Sequence, residues 1–309
     1  MNSPPVSARS SADARRSERL GLLFGVIAYA IWGILPIYFK LLHAVSPVAI
    51  VAHRICWSLV VVLFLVTLTR GWPTVRRALA NRRTMLMLSA SAFLIAVNWL
   101  VYVFAVNNGH ILAGSLGYYL NPIANILLGR FLLGERLNRL QWSAVTIAAG
   151  GIAVLAAGAL AQLWISLLLC LSFSIYGLIR KIVATDALSG LAIETGLLFP
   201  FAFGWLVLAH VTNTPMIPTD GGHLRLLLLL SGVVTTAPLL LFTEAARRLP
   251  YSTVGMLQFL APTLQLLIGL FLYDEPLSIS HAIAFAAIWT AIALYVTALV
   301  RERYAVIAT

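Results

Sequence analysis

The sequence predicts an all-α membrane protein with ten transmembrane helices arranged as two inverted five-helix repeats. Three observations carry this. Of 309 residues, 61% are hydrophobic and only 10% are charged, with a mean hydropathy of +0.95; a soluble domain carries about 25% charged residues. Apolar stretches of about 20 residues, the length that crosses ~30 Å of hydrocarbon, recur at 20–42, 47–68, 84–106, 111–133, 140–159, 163–181, 189–211, 224–246, 251–272 and 278–300. Finally, the chain repeats itself at a shift of 140 residues. LNPIANILLGRFLLGERL (120–137) falls on LAPTLQLLIGLFLYDEPL (260–277), with eight of 18 positions identical, among them Pro122/Pro262, Gly129/Gly269, Phe131/Phe271 and Glu135/Glu275.

The repeat sets the domain boundaries. Residues 1–19 are read as a polar, disordered cytoplasmic tail and not a signal peptide, since they lack an apolar core. Residues 20–159 form the first repeat, 160–300 the second, and 301–309 a C-terminal tail. An odd number of spans per copy turns the second copy upside down. That is an architecture of alternating-access transporters, with the substrate at the repeat interface near the bilayer midplane.

The net charge of +11 would point to nucleic acid in a soluble protein. Its placement says otherwise. With the N-terminus taken as cytoplasmic, Arg9, Arg15, Arg16, Arg19, the 70–83 arginines, Arg130, Arg136, Arg139, Arg180, Lys181, Arg247, Arg248, Arg301 and Arg303 all fall on one side, 18 of the 21 basic residues. The opposite side receives only Lys40 and Arg225, with Arg54 inside a helix. The positive-inside rule then puts both termini in the cytoplasm. Residues 69–83 form a basic, partly amphipathic stretch expected on the headgroups. The partners are thus a lipid bilayer and a small-molecule substrate, and no nucleic acid.

Ionisable groups inside a membrane are costly and point to function. Arg54 is the sharpest case, about eight residues or 12 Å into its helix, beside His53. Lys40 ends the first helix within reach of the interface. Under the 140-residue shift Lys40 falls on Arg180 and Arg54 on Glu194. The first half therefore has two basic groups, suited to an anion, and the second an acid–base pair suited to a gate salt bridge or, through Glu194, to proton coupling. Near the midplane lie Trp32, Asn98, Trp99, Tyr102, Ser115, Tyr118, Asn121, Tyr176, Thr235 and Gln258, side chains of the kind that line a cavity for an amphipathic small molecule. Each alone also fits helix–helix hydrogen bonding, worth ~0.6 kcal/mol on average. Pro36, Pro122, Pro238 and Pro262 interrupt helical hydrogen bonding and are candidate hinges.

Catalytic signals are absent from the sequence. It has no metal-ligand spacing, no phosphate-binding loop and no nucleotide-binding domain, so no cofactor or metal is expected. Cys56 and Cys170 read as small buried hydrophobes. A transporter would draw on a gradient or a counter-substrate. The rival readings are a non-transporting scaffold or sensor, and an intramembrane enzyme built around His53.

The segments WGILPIYFKLL (32–42), HRICWS (53–58), NWLVYVFAVNNGHILAGSLGYYLNP (98–122), YGLIRK (176–181), ET (194–195) and VTTAPLLLFTEAARRLPYSTVG (234–255) resemble RarD-type permeases of the EamA branch of the drug/metabolite transporter superfamily. The resemblance covers nearly all of 21–300. It implies ten helices, two inverted EamA repeats, an inner-membrane location with both termini cytoplasmic, and export of a small metabolite or drug-like compound. The family name is tied to chloramphenicol sensitivity, which does not supply a substrate. Relatives of this type often carry an acidic residue before the A-S-L-G-Y element; here that position is Ala113, so any proton coupling either runs through Glu194 or does not follow the relatives' scheme.

Overall fold

The computed structural model describes residues 6–108, 110–157, 160–214, 222–274 and 277–307, and all the regular structure among them is helical. The helices are α1 (Val6–Leu41), α2 (Pro47–Leu68), α3 (Trp72–Ala80), α4 (Arg82–Asn107), α5 (Ile111–Leu132), α6 (Arg139–Ala156), α7 (Leu163–Ile182), α8 (Ala187–Val211), α9 (Gly222–Arg248), α10 (Tyr251–Gln258), α11 (Leu260–Leu272) and α12 (Ile279–Ile307). Local chemistry fixes several starts. Ser46 accepts a hydrogen bond from the Ala49 amide at 3.2 Å, and Pro47 follows at the first helical position of α2. Asn138 and Gln141 form a reciprocal capping box on α6, and Asp186 caps α8 through the Ser189 amide at 2.8 Å.

Two elements differ from the sequence reading. The expected tail at 1–19 is helical from Val6. Ala12, Ala14, Arg15, Arg16 and Glu18 are good helix formers, and adding residues to an existing helix needs no new nucleus. Among the described residues nine segments are long and apolar enough to cross a membrane. α5, read from the sequence as the span 111–133, is not among these nine. The expected single helix at 251–272 is broken at Phe259 into α10 and α11. Pro262 has no N–H to give the Gln258 carbonyl, and its ring crowds that oxygen. Pro36, Pro122 and Pro238, by contrast, sit inside continuous helices α1, α5 and α9. Glu275 and most of the Pro/Gly-rich turn at 212–223 lie outside the described residues.

The chain divides into two compact units that do not follow the two sequence repeats. Unit 1 takes residues 1–32, 41–92 and 177–250; unit 2 takes 33–40, 93–176 and 251–309. The boundaries fall inside α1, α4 and α7, and between α9 and α10.

In unit 1, α2 packs on α8 and α9, and α3 lies on α8. The buried stripe of α2 is Ala49, Ala52, Ile55, Ser58, Val62 and Val66, small or β-branched residues on one helical face. Gly232 lets α9 approach closely, because a Cβ there would sit 2.5 Å from the Trp57 carbonyl oxygen. The Ser58 hydroxyl donates to the Gly232 carbonyl at the same crossing.

In unit 2, α6 packs on α12 and α5 on α10. The α6 seam is Ala144, Val145, Ala148, Gly151 and Ile152. The α12 seam is Ala284, Phe285, Ile288, Ala291 and Tyr295. Adding 140 to Ala144, Val145, Ala148 and Gly151 gives Ala284, Phe285, Ile288 and Ala291. The two repeats therefore bury the same positions in this contact. Large side chains outside the seams, such as Phe93, Phe131, Phe201 and Phe271, are exposed, as a lipid-facing surface requires.

The seam generates a prediction. A Cβ on Gly151 would lie 2.6 Å from the Ala287 Cβ, whereas nothing lies within 4 Å of one on Gly150. Gly151→Leu should lower the melting temperature of the purified protein, with a cost of about 1–3 kcal/mol, while Gly150→Leu should leave it nearly unchanged. Equal melting of the two variants would contradict the seam.

Candidate functional site

Unit 1 holds the membrane-buried charges. Arg54 on α2 is half-buried, and its Nε–H donates to the hydroxyl of buried Thr235 on α9 at 2.8 Å. This brings together two residues singled out in the sequence 181 positions apart. His53 is half-buried beside Arg54. Trp32 stacks in an aromatic group on α1 and α9, with ring centroids 5.5 Å from Tyr29 and 5.7 Å from Phe242.

Arg180 and Glu194 form a salt bridge at 3.4 Å with only 1% and 2% of their side chains exposed. Each ion has further partners. Arg180 donates from Nη2 to the Ala187 carbonyl at 2.7 Å and from Nε to the Thr243 hydroxyl at 3.4 Å. The Ser91 hydroxyl donates to Glu194 Oε1. Four helices, α4, α7, α8 and α9, therefore meet on one ion pair. Such satisfaction is what makes burial of two charges tolerable. Gly190 is part of the construction, since a Cβ there would collide with the Arg180 guanidinium. Next to the pair, Lys181 Nζ donates to the Ala246 and Leu249 carbonyls at the end of α9, at 2.6 and 2.5 Å. Arg247 donates to the Val183 carbonyl at 3.0 Å.

Unit 2 holds the neutral polar residues. Asn98 donates to the Leu169 carbonyl at 2.9 Å and the Ser172 hydroxyl at 3.1 Å, and it accepts from the Tyr118 hydroxyl. The rings of Tyr102 and Tyr118 lie 5.7 Å apart. Asn121 accepts from the Ser174 hydroxyl, and Tyr251 donates to the Ser174 carbonyl at 2.7 Å. Asn125 donates to Gln258 at 2.7 Å. On consecutive turns of α5, Asn121 Nδ2 and Asn125 Oδ1 are buried without a hydrogen-bond partner. Glu135 accepts from the Tyr251 amide and, at 2.9 Å, from the Ser252 amide. It thus caps the N-terminus of α10, where a carboxylate is favoured. Lys40 sits 3.3 Å over the Tyr273 ring, a cation–π contact.

The remaining sequence candidates fall differently. Tyr176 is buried against Phe173, with centroids 5.9 Å apart. Trp99 is half-buried, and Ser115 is exposed on α5. Ser91, Thr243, Ser172 and Asn125 were missed. For Asn125 a signal existed, as it lies one turn beyond Asn121 and maps onto Gln265 under the repeat. The serines and threonines carry no such mark, because most residues of these types in membrane helices bond back to their own helix, as Thr195 does to the Leu191 carbonyl. Among the described residues no three His, Cys, Asp or Glu side chains cluster to hold a metal.

Comparison with known proteins adds the context of this site. The family model described as the EamA-like transporter family matches twice in tandem, at residues 19–157 and 160–297. An uncharacterized transporter of Pseudomonas aeruginosa is 46% identical over 286 residues, covering 91% of this chain and 95% of that protein. The RarD protein of Escherichia coli is 41% identical over 291 residues, 92% of this chain and 96% of that one. The uncharacterized transporter YojE of Bacillus subtilis is 42% identical over 290 residues, again 92% and 96%. A protein solved by crystallography superposes with a TM-score of 0.69 at 20% identity, covering 90% of this chain and 97% of that one; it shares the fold.

The buried ion pair generates a prediction. Glu194→Leu leaves Arg180 charged in the interior and should cost about 3–5 kcal/mol, whereas Arg180→Met with Glu194→Leu should recover most of that loss. Thermal melting of the three purified proteins measures this. A single variant as stable as wild type would mean that water already reaches the pair.

Proposed function

Because the chain belongs to the EamA-like transporter family, we propose that this multi-pass membrane transporter is a secondary-active permease for a small solute bearing a carboxylate or phosphate. Arg54 is the anchor of that anionic group. One observation carries the reading. A half-buried arginine sits within a 22-residue apolar span and is held in place by the hydroxyl of Thr235. A fixed guanidinium presents several N–H donors in a geometry that matches an oxyanion. Arg180, the other basic group deep in unit 1, is matched by Glu194, and this pair acts as a strut of the cytoplasmic gate.

The permease works by alternating access and resides in the cytoplasmic membrane with both termini inside. The sidedness of 18 of the 21 basic residues supports this orientation. Ten spans in two inverted repeats are the proposed arrangement, with α5 as the tenth. The tandem family match and the α6–α12 seam, in which repeat-related positions face each other, support it, since self-paired contacts are what two-fold relationships produce. Lacking a nucleotide-binding motif, the permease draws on a gradient or counter-substrate. Export is the proposed direction, by family analogy alone.

Proteoliposomes loaded with a defined mixture of carboxylate- and phosphate-bearing metabolites test the anchor, with depletion followed by mass spectrometry. Wild type should deplete one or a few of them. Arg54→Met should abolish that flux while keeping wild-type folded yield, and Arg54→Lys should retain part of it. Unchanged flux in Arg54→Met would end the anchor proposal.

A further inference from the structure

The segment between α2 and α4 is strongly basic. Arg70, Arg76, Arg77, Arg82 and Arg83 lie within 14 residues and are all exposed. Between Glu18 and Glu135 the sequence contains no aspartate or glutamate, and none of the five arginines is in an ion pair among the described residues. Arg77 bonds back to the Pro73 carbonyl and the Thr74 hydroxyl of its own helix, which fixes its position without neutralising it. Arg82 and Arg83 open α4, whose first turn has no acidic residue. Two cations there add to the positive end of the helix dipole, which disfavours them.

Geometry says where this charge points. Around α3, Ala78 and Val75 face inward against α8. Leu79 and Trp72 follow next on the wheel, 50% and 40% exposed, and Arg76 borders them. The Trp72 indole N–H is tied to the Thr67 hydroxyl at 3.1 Å, at the end of α2. The positive φ of 55° at Arg70 turns the chain out of α2 into α3. α3 is thus held at both ends by segments long and apolar enough to cross a membrane, α2 ending at Leu68 and α4 starting at Arg82. A short helix so tethered lies at the level of the headgroups. It presents an aromatic and an aliphatic side chain to the acyl boundary, bordered by Arg76.

We propose that α3 and the first turn of α4 form a binding site for the phosphate headgroup of anionic phospholipids. Trp72 and Leu79 enter the interface, and Arg76, Arg77, Arg82 and Arg83 pair with the lipid phosphates. The occupant follows from charge complementarity and from reach, since headgroups are the anions that a helix anchored at both ends meets at this depth. Each such arginine strengthens association with an anionic surface about fivefold. Because α3 rests on α8, the bound lipid also braces unit 1.

Native mass spectrometry of the full-length protein, titrated with phosphatidylglycerol and with phosphatidylcholine, tests the site. Wild type should bind phosphatidylglycerol at least tenfold more tightly. Replacing all four arginines with glutamine should abolish that preference, while Arg136→Gln with Arg139→Gln, in another basic loop, should preserve it. Should the fourfold variant fail to fold, Arg76→Gln and Arg83→Gln singly should each weaken phosphatidylglycerol binding about fivefold. A preference that survives these changes in folded protein, or equal binding of the two lipids by wild type, would overturn the site. So would preferential capture of an added oligonucleotide, which would assign the patch to nucleic acid. The readout is lipid bound and not solute moved, so its failure is distinct from failure of the permease reading.

Discussion

A membrane interior supplies no water to a polar group, so every charge and amide buried there must be satisfied by the protein itself. The Arg180–Glu194 pair is where this chain meets the requirement most severely. Two ions almost fully out of solvent draw α4, α7, α8 and α9 of unit 1 together through Ser91, Thr243 and the Ala187 carbonyl. Even the small size of Gly190 is set by the guanidinium beside it. Unit 2 meets the same requirement in large part with neutral groups, tying α4, α5, α7 and α10 through asparagines, serines and Tyr251, while Asn121 Nδ2 and Asn125 Oδ1 stay without a partner. Apolar packing then needs only small seams, such as Gly151 against Ala287, because lipid tails compete equally well for large aliphatic side chains.

The division of chemistry between the units bears on function. Charged residues within the spans, apart from Lys40 and Arg130, concentrate in unit 1, and the amide network lies in unit 2. Arg54 differs from Arg180 in how it is held. Arg180 is locked by an acid, a carbonyl and a hydroxyl and is almost fully buried, whereas Arg54 is half-buried and is oriented by the hydroxyl of Thr235. An ion that is oriented and still accessible suits reversible recognition of a solute, and one that is sealed suits mechanical coupling. The same logic separates both from the α3 arginines, which are exposed.

Much of the helix layout was legible because span length and the 140-residue repeat are long-range, redundant signals. Single substitutions do not erase them. Features set by one or two residues were not. The break at Phe259 depends on Pro262 alone, while Pro36, Pro122 and Pro238 are absorbed in continuous helices, and sequence does not distinguish the two outcomes. At the candidate site, the ionisable residues stood out because they are costly in lipid. Their hydroxyl partners did not, since Ser91 lies 103 residues from Glu194 and no local pattern ties them. The compact units were also illegible, because helices of the two halves pack on each other, α2 on α8 and α6 on α12, and a linear repeat does not reveal that exchange.

The central claim is that this transporter recognises an anionic solute. The most direct measurement is the melting temperature of the purified wild-type protein in detergent, against matched panels of carboxylates, phosphates, neutral amides and amines. A ligand that binds only the folded state adds about 2.7 kcal/mol at 100 times its Kd, an easily resolved shift. Stabilisation confined to carboxylates or phosphates is the predicted result. Stabilisation by neutral or cationic compounds alone would contradict it and remove Arg54 as the basis of recognition.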